Sequence, residues 1–386
     1  MDICYASNET YVPHLAASMT SLILHNADAG VIRFHVIANG IGEDSRQKLR
    51  QNAALAVRQC ADIVPTVSVS FYDLSDLAER VVGQGAELAG TAADSFSRQA
   101  AAAKTAEGGT AETAADRIDT GSYDISMLGR FFIGELLPER VETVLYLDCD
   151  TIVCGSLKQL FQRTGLPLAS GVPEPTIYRS ILKQLGLTHA DDCYINSGVL
   201  LINLTAWREF DAGRRLLTFY RENGARLFCG DQDAVNYVLR GKIGLLSPRY
   251  NFFTNYRYFH YRSLVRQSPS YERVMPNRQQ FEKMKQKPRI IHYMGAERPW
   301  LHGNRNPYRR QYEAALSRTV YAGRKPERGK EAALFAYHLM NLGTWLCPPL
   351  RRIISAAFER KKVRPRIEPL LTDSGNVSNI EENSRK

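Results

Sequence analysis

The segment Val144-Leu145-Tyr146-Leu147-Asp148-Cys149-Asp150 closes a short apolar run with two aspartates separated by one residue. Side chains at i and i+2 of an extended chain leave on the same side, so both carboxylates face one point and repel unless a cation lies between them. Hard oxygen donors suit Mn²⁺ or Mg²⁺, and such an ion keeps coordination positions for phosphate oxygens. The bland alternative is a turn in which the two aspartates cap the next element.

Three further segments place polar groups beside apolar runs. Tyr194-Ile195-Asn196-Ser197-Gly198 precedes the buried run Val199–Leu204, and Trp207 follows it. Gly230-Asp231-Gln232-Asp233 sets two carboxylates and an amide at a helix start. Ile290-Ile291-His292-Tyr293-Met294-Gly295, with Arg298-Pro299-Trp300 after it, brings an imidazole and a glycine to a strand exit.

The elements that must position these groups read as α/β. Residues 2–6, 32–37 and 67–71 are strand-like, and residues 15–24 and 46–57 between them have helical apolar spacing. This alternation predicts a parallel sheet with helices on its faces, whose ligands bind beyond the carboxyl ends of the strands. The turn Ser7-Asn8-Glu9-Thr10 is therefore a site candidate on position alone. A helix is expected over 125–137, strands at 144–147, 195–203 and 289–292, and helices from Thr205 and over 231–239. The aromatic-rich stretch 250–261 reads as a loop wall, and the Ala-, Gly-, Ser- and Thr-rich stretch 83–121 as a loose insertion, bland or lid-like.

Taken in this order, the segments resemble glycosyltransferase family 8, the retaining galactosyl- and glucosyltransferases that include bacterial lipopolysaccharide and lipooligosaccharide enzymes. The resemblance spans residues 1–302 apart from the insertion. It implies a GT-A type nucleotide-binding fold, Rossmann-like with a mostly parallel sheet, and a hexosyltransferase activity using a UDP-hexose and Mn²⁺ or Mg²⁺. By position, Asp148, Asp150 and His292 would ligate the metal, with Asp148 also near the ribose and Cys149 at the nucleotide. Ala6, Asn8 and Tyr11 match the uridine contacts, where the family often has Asp at the Asn8 position. Arg130 would reach the donor sugar and its phosphate region, and Asn196, Ser197, Asp231 and Gln232 would hold the hexose. Arg298, where the pattern often has Lys, and the backbone near Gly295 would meet the diphosphate. Gln232, Asp231 and Arg130 are the expected catalytic group, Gln232 nearest the anomeric carbon. Front-face attack and double displacement both stay open. Glu174 lies loosely where an acceptor-side Asp is found.

Asp148-Cys149-Asp150-Thr151-Ile152 also matches the nucleophile segment of haloacid-dehalogenase-like phosphohydrolases. That reading expects the motif early in the chain and a GDxxxD pair downstream; here the motif starts at 148 and Gly230-Asp231-Gln232-Asp233 has the wrong spacing. A non-catalytic, membrane-associated sugar-nucleotide-binding protein is the third class.

Charge separates two regions. Residues 1–297 carry 32 basic and 32 acidic side chains and residues 298–386 carry 18 and 8, so the whole excess of +10 lies in the last part of the chain. A balanced body argues against a nucleic-acid partner. Within the tail, Leu350, Ile353, Ile354, Ala357 and Phe358 fall on one helical stripe among Arg351, Arg352, Arg360, Lys361 and Lys362. Residues 332–347 before it are apolar nearly all round. Such a basic amphipathic segment is expected to lie on an anionic membrane surface, the competing reading being a hairpin packed on the body. The expected organisation is a catalytic domain over 1–302, a basic, aromatic helical tail over 303–370 and disorder over 371–386. Seven cysteines without a CxxC pair fit reduced thiols. With no secretion signal and no run of 18 apolar residues, the expected place is the cytoplasmic face of a membrane, that of a bacterium, where a saccharide or lipid-linked saccharide acceptor would be met.

Overall fold

The strands are β1 (Asp2–Asn8), β2 (Val31–Asn39), β3 (Thr66–Asp73), β4 (Thr143–Leu147), β5 (Thr151–Val153), β6 (Ala169–Pro173), β7 (Ile195–Asn203), β8 (Ile243–Leu245), β9 (Phe252–Phe253) and β10 (Ile290–His292). The computed structural model describes residues 1–61, 63–76, 124–189, 192–268, 270–275 and 277–370. The expected insertion at 83–121 and the expected disorder at 371–386 lie outside them.

Seven strands form one sheet in the order β3-β2-β1-β4-β7-β6-β8. Six run the same way and β7 alone runs against them, pairing antiparallel with both β4 and β6. Helices α1 (Val12–His25) and α2 (Glu43–Arg58) make the crossovers between β1, β2 and β3. The near-continuous apolar run of β1 follows from burial on both faces, with Ile3, Cys4 and Tyr5 all inaccessible. Edge strand β3 instead alternates exposed Thr66, Ser68 and Ser70 with half-buried Val67, Val69 and Phe71.

The expected helix over 125–137 is mostly a 3₁₀ segment, Ile125–Phe132, followed by a single α turn at Ile133–Leu136. Its three-residue period sends Leu128 and Phe131 into the core while Met127 and Arg130 line the cleft. Asp124 caps it, Oδ1 accepting from Ser126 N (2.9 Å) and Asn39 Nδ2 (3.1 Å). Helices α3 (Ala212–Asn223) and α4 (Asp231–Val238) follow β7.

A second sheet holds three short strands, β10 lying between β5 (antiparallel) and β9 (parallel). The stretch 250–261, read from sequence as a loop wall, therefore contains a strand. Its aromatics are core: Phe252, Phe253 and Tyr256 are fully buried under this sheet.

Beyond residue 302 the chain continues along the body. Helix α5 (Arg309–Leu316) packs on α1, with Tyr312 Oη 2.7 Å from His14 Nδ1. Helices α6 (Glu331–Leu346) and α7 (Pro348–Phe358) meet at Pro348-Pro349. The hairpin is anchored where Leu334 enters the core, His260 Nε2 lies 3.1 Å from Trp345 O, and Phe358 stacks on Tyr178 at 5.9 Å. Among the described residues no helix is long and apolar enough to cross a membrane.

Candidate active site

A cleft of about 1270 Å³ opens where β1 and β4 end. Asp148 follows β4, Asp150 precedes β5, and His292 closes β10, so the β5–β10 pairing, with Thr151 opposite His292, brings together ligands from distant parts of the chain. One ligand atom from each of the three lies within 4.8 Å of the others. His292 Nε2 is 3.3 Å from Asp150 Oδ1 and 3.8 Å from Asp148 Oδ2.

The protonation of this cluster can be traced to backbone groups. Asn196 Oδ1 accepts from Gly198 N–H (3.0 Å), a donor that cannot be reversed. The same oxygen accepts from Asn251 Nδ2 (2.9 Å), which turns Asn251 Oδ1 toward His292 Nδ1 (2.9 Å). Nδ1 therefore carries the imidazole proton, and the Nε2 lone pair faces the two carboxylates. Burial lowers the His292 pKa, which keeps the ring neutral. Asp150 Oδ1 is buried with no hydrogen-bond partner. Three lone-pair donors thus converge without a proton among them, an arrangement that fits a divalent cation with nitrogen and oxygen ligands. Gly198 leaves the room: a Cβ there would collide with the His292 ring and lie 2.6 Å from Asp148 Oδ2. Its carbonyl also accepts from Asp148 N–H (2.8 Å).

Arg130 is buried between two carboxylates. Nη2 lies 2.9 Å from Asp148 Oδ1, Nε 3.1 Å from Asp231 Oδ2, and Nη1 donates to Ser197 O and Oγ, both at 2.8 Å. Its guanidinium also sits over the Tyr146 ring at 4.7 Å. Most of its donors are thus engaged within the protein, which makes it first a positioning group for Asp148 and Asp231. Burial pushes Asp148 up, but Arg130, the Tyr146 hydroxyl and Arg298 hold its pKa below the ordinary value. At Asp231 burial wins over Arg130, and the pKa is raised.

Gln232 opens α4 and is clamped: Oε1 accepts from Asn196 Nδ2 (2.8 Å) and Ser197 N (3.1 Å), while Nε2 donates to Tyr194 Oη (3.1 Å). Arg298 pairs with Asp150 and stands over Trp300 at 5.6 Å. On the β1 side, Ala6 O accepts from Cys149 Sγ (3.3 Å). Asn8 caps the turn Glu9–Tyr11, its Oδ1 taking Tyr11 N (3.3 Å) and Thr10 Oγ1 (2.8 Å), and Tyr11 meets Trp300 edge-on at 6.0 Å.

Ala6, Asn8, Tyr11, Arg130, Asp148, Cys149, Asp150, Asn196, Ser197, Asp231, Gln232, His292 and Arg298 all line this one cleft. Gly295 is the exception. It is not among the lining residues, and its φ of +81° makes it the turn that leads the chain from His292 to Arg298. Glu174, a loose match from sequence, is buried in the cleft wall, with Oε2 3.5 Å from Asn196 Nδ2. Sequence reading missed Asn251, hidden in an aromatic stretch, and the role of Gly198, since neither stands at a telling spacing from His292.

A mostly parallel sheet with an Asp-x-Asp pair at a strand end is the GT-A architecture of glycosyltransferases. The chain belongs to glycosyl transferase family 8, whose sequence profile matches residues 2–303. It is similar to the lipopolysaccharide 1,2-glucosyltransferase of Escherichia coli strain K12, 23% identical over 225 residues, 56% of this chain and 61% of that protein. General stress protein A of Bacillus subtilis strain 168 is 28% identical over 185 residues, 47% of this chain and 61% of that protein. The chain thus spans about three-fifths of the length of these two relatives. Among solved structures, the galactosyltransferase LgtC in complex with donor and acceptor sugar analogues shares the fold, with a TM-score of 0.57 and 20% identity over 83% of this chain and 96% of that one.

Proposed function

We propose that the protein is a retaining hexosyltransferase that moves galactose or glucose from a UDP-sugar to a saccharide acceptor in cell-surface glycan synthesis, lipopolysaccharide included, with Mn²⁺ or Mg²⁺ held by Asp148, Asp150 and His292. The observation that carries this reading is the convergence of the two carboxylates and the Nε2 lone pair around the unpartnered Asp150 Oδ1, in the space that Gly198 leaves. A bound divalent ion neutralises charge on the diphosphate leaving group. The chain's own residues do the rest. Arg298 offers a second cation beside Asp150, and Arg130 keeps Asp148 ionised. Asn196, Ser197, Asp231 and Gln232 present fixed polar groups to the hexose, whose hydroxyls need partners once water is displaced. Gln232, clamped at both ends of its amide, is our candidate for the group nearest the anomeric carbon, because its fixed amide cannot turn away from the sugar.

A phosphohydrolase reading is disfavoured because its nucleophile would be Asp148, whose Oδ1 is already held by Arg130 and the Tyr146 hydroxyl (2.9 Å). The test is UDP release from UDP-galactose and UDP-glucose with and without Mn²⁺. The expected result is metal-dependent release that Asp150→Asn abolishes. Full activity in that variant removes the metal assignment, and phosphate release from a phosphomonoester supports the phosphohydrolase.

We further propose that the protein is peripheral on the cytoplasmic face of an anionic membrane. Leu346 (67% exposed), Ile353 (66%) and Trp345 (54%) are uncovered on α6 and α7, and the exposed Arg360, Lys361 and Lys362 follow α7 in the chain. Apolar side chains beside lysine and arginine suit a bilayer surface. Sedimentation with phosphatidylglycerol vesicles should fall in Leu346→Glu/Ile353→Glu. Unchanged sedimentation counts against the idea.

A further inference from the structure

The donor end of the cleft does not explain its outer part. Helix α7 and its C-cap residue turn Pro348, Arg351, Arg352, Ser355, Ala356 and Glu359 into the cleft, positions at i, i+3, i+4, i+7, i+8 and i+11 that form one continuous face. The apolar stripe Leu350, Ile353 and Ile354 looks the other way and is exposed. The cationic face of this amphipathic helix is thus the one turned to the interior of the cleft, where a soluble helix would be expected to bury its apolar face.

Three more arginines converge there. Helix Tyr261–Gln267 brings Arg262 and Arg266 to the same cleft, and Arg179 enters at the start of helix Arg179–Gln184. Five arginines therefore come from three elements that carry none of the donor-side residues. Among the described residues two carboxylates line this part with them, and both are engaged: Glu359 Oε1 accepts from Ser180 N (2.9 Å), and Glu174 Oε1 accepts from Thr176 N (3.2 Å). Among the described residues no ion pair holds any of the five arginines. Arg351 is anchored otherwise, over the Phe259 ring at 5.6 Å and 2.7 Å from Met340 Sδ.

Like charges gathered on facing elements repel, and a cleft with low-dielectric walls concentrates that field on whatever enters it. Arginine forks match the oxygens of phosphate and carboxylate groups. We propose that this outer part of the cleft is the acceptor subsite for a saccharide bearing an anionic group, a phosphate or a carboxylate, which the arginines of α7 and of helix Tyr261–Gln267 bind. The inference rests on the transferase reading above and narrows its acceptor class. It also gives the tail helix a second role, since one face meets solvent or lipid while the other forms a wall of the site.

The experiment titrates glucose 6-phosphate, glucuronate, glucose and inorganic phosphate into the full chain saturated with Mn²⁺ and UDP, so that the donor end is filled. Glucose 6-phosphate or glucuronate should bind at least about tenfold more tightly than glucose and than inorganic phosphate. Which of the two wins tells phosphate from carboxylate. The double variant Arg262→Gln/Arg352→Gln, at two exposed positions on different elements, should weaken the tighter ligand about tenfold or more, with bound UDP reporting that it is folded. If UDP and Mn²⁺ do not bind the unaltered protein, the transferase reading fails. If they bind and the sugars do not differ, or the variant leaves the anionic sugar unaffected, the subsite is overturned. It is overturned equally if inorganic phosphate binds as well as the sugar phosphate, or if the variant loses only phosphatidylglycerol vesicles.

Discussion

His292 does not choose its own tautomer; Asn251 sets it. The 2.9 Å contact between His292 Nδ1 and Asn251 Oδ1 ends a relay that begins at the Gly198 backbone N–H and passes through Asn196. A ring that donates from Nδ1 offers Nε2 as a ligand, so an amide outside the proposed ligand set controls whether the third of those ligands is available.

Asn251→Leu is expected to weaken Mn²⁺ binding about 10- to 100-fold, the usual cost of losing such an outer partner. Asn251→Asp keeps an oxygen at Nδ1 but loses the donor to Asn196, so metal affinity should survive while KM for the donor rises. Calorimetric Mn²⁺ titration and steady-state kinetics separate the two; equal metal affinity in both variants would sink the relay.

Gly198→Ala should eliminate metal binding while leaving a folded protein. The added methyl meets the His292 ring and Asp148 Oδ2, the two groups that have to move toward a common ion. Mn²⁺ titration read beside thermal unfolding checks this, and a variant with native metal affinity would contradict it.

Arg130→Met removes the cation from between Asp148 and Asp231, both of which it holds within about 3 Å. Leaving two partly buried carboxylates without their partner should cost about 3–5 kcal/mol of stability. Arg130→Met/Asp231→Asn should recover part of that loss without recovering transfer, because Asp231 is one of the groups proposed to hold the hexose. Denaturant unfolding measures the first effect and UDP release the second.

Glu135 gives a pH dependence remote from the chemistry. Burial pushes its pKa up to about 7, the other charged groups around it being Arg208 and Asp211, and its Oε2 has no hydrogen-bond partner. The fold therefore prefers the protonated acid. Its contribution is complete below the ordinary value of 4.5 and is lost as pH rises through about 7, at most about 3 kcal/mol. Glu135→Gln should remove this slope, so its advantage in Tm over the unaltered protein should grow between pH 5 and pH 8. Parallel Tm curves would rule the explanation out.

The parts of this protein that could be read in advance were those with local signals. The apolar run of β1 and the pair Asp148/Asp150 declare themselves within a few residues. Strands β5, β6, β8 and β9 do not, because two to five residues carry too little periodicity and exist only through their partners; β9 is two phenylalanines. The segment 125–137 was legible as helical but not as 3₁₀, since the period of three serves Arg130 and Met127 on the cleft side. The amphipathic pattern of α7 was legible too, but the side its arginines take is settled by where the hairpin packs.

The three-stranded sheet has a consequence for synthesis of the chain. Asp148 and Asp150 emerge from the ribosome long before His292, yet β5 can present them to an imidazole only once β10 has paired beside it. A nascent chain carries Asp148 and Asp150 without the third of the proposed metal ligands. The small sheet thus orders assembly: His292 can join the two aspartates only after all seven strands of the large sheet have been made, and before helix α7, which lines the outer cleft, has been.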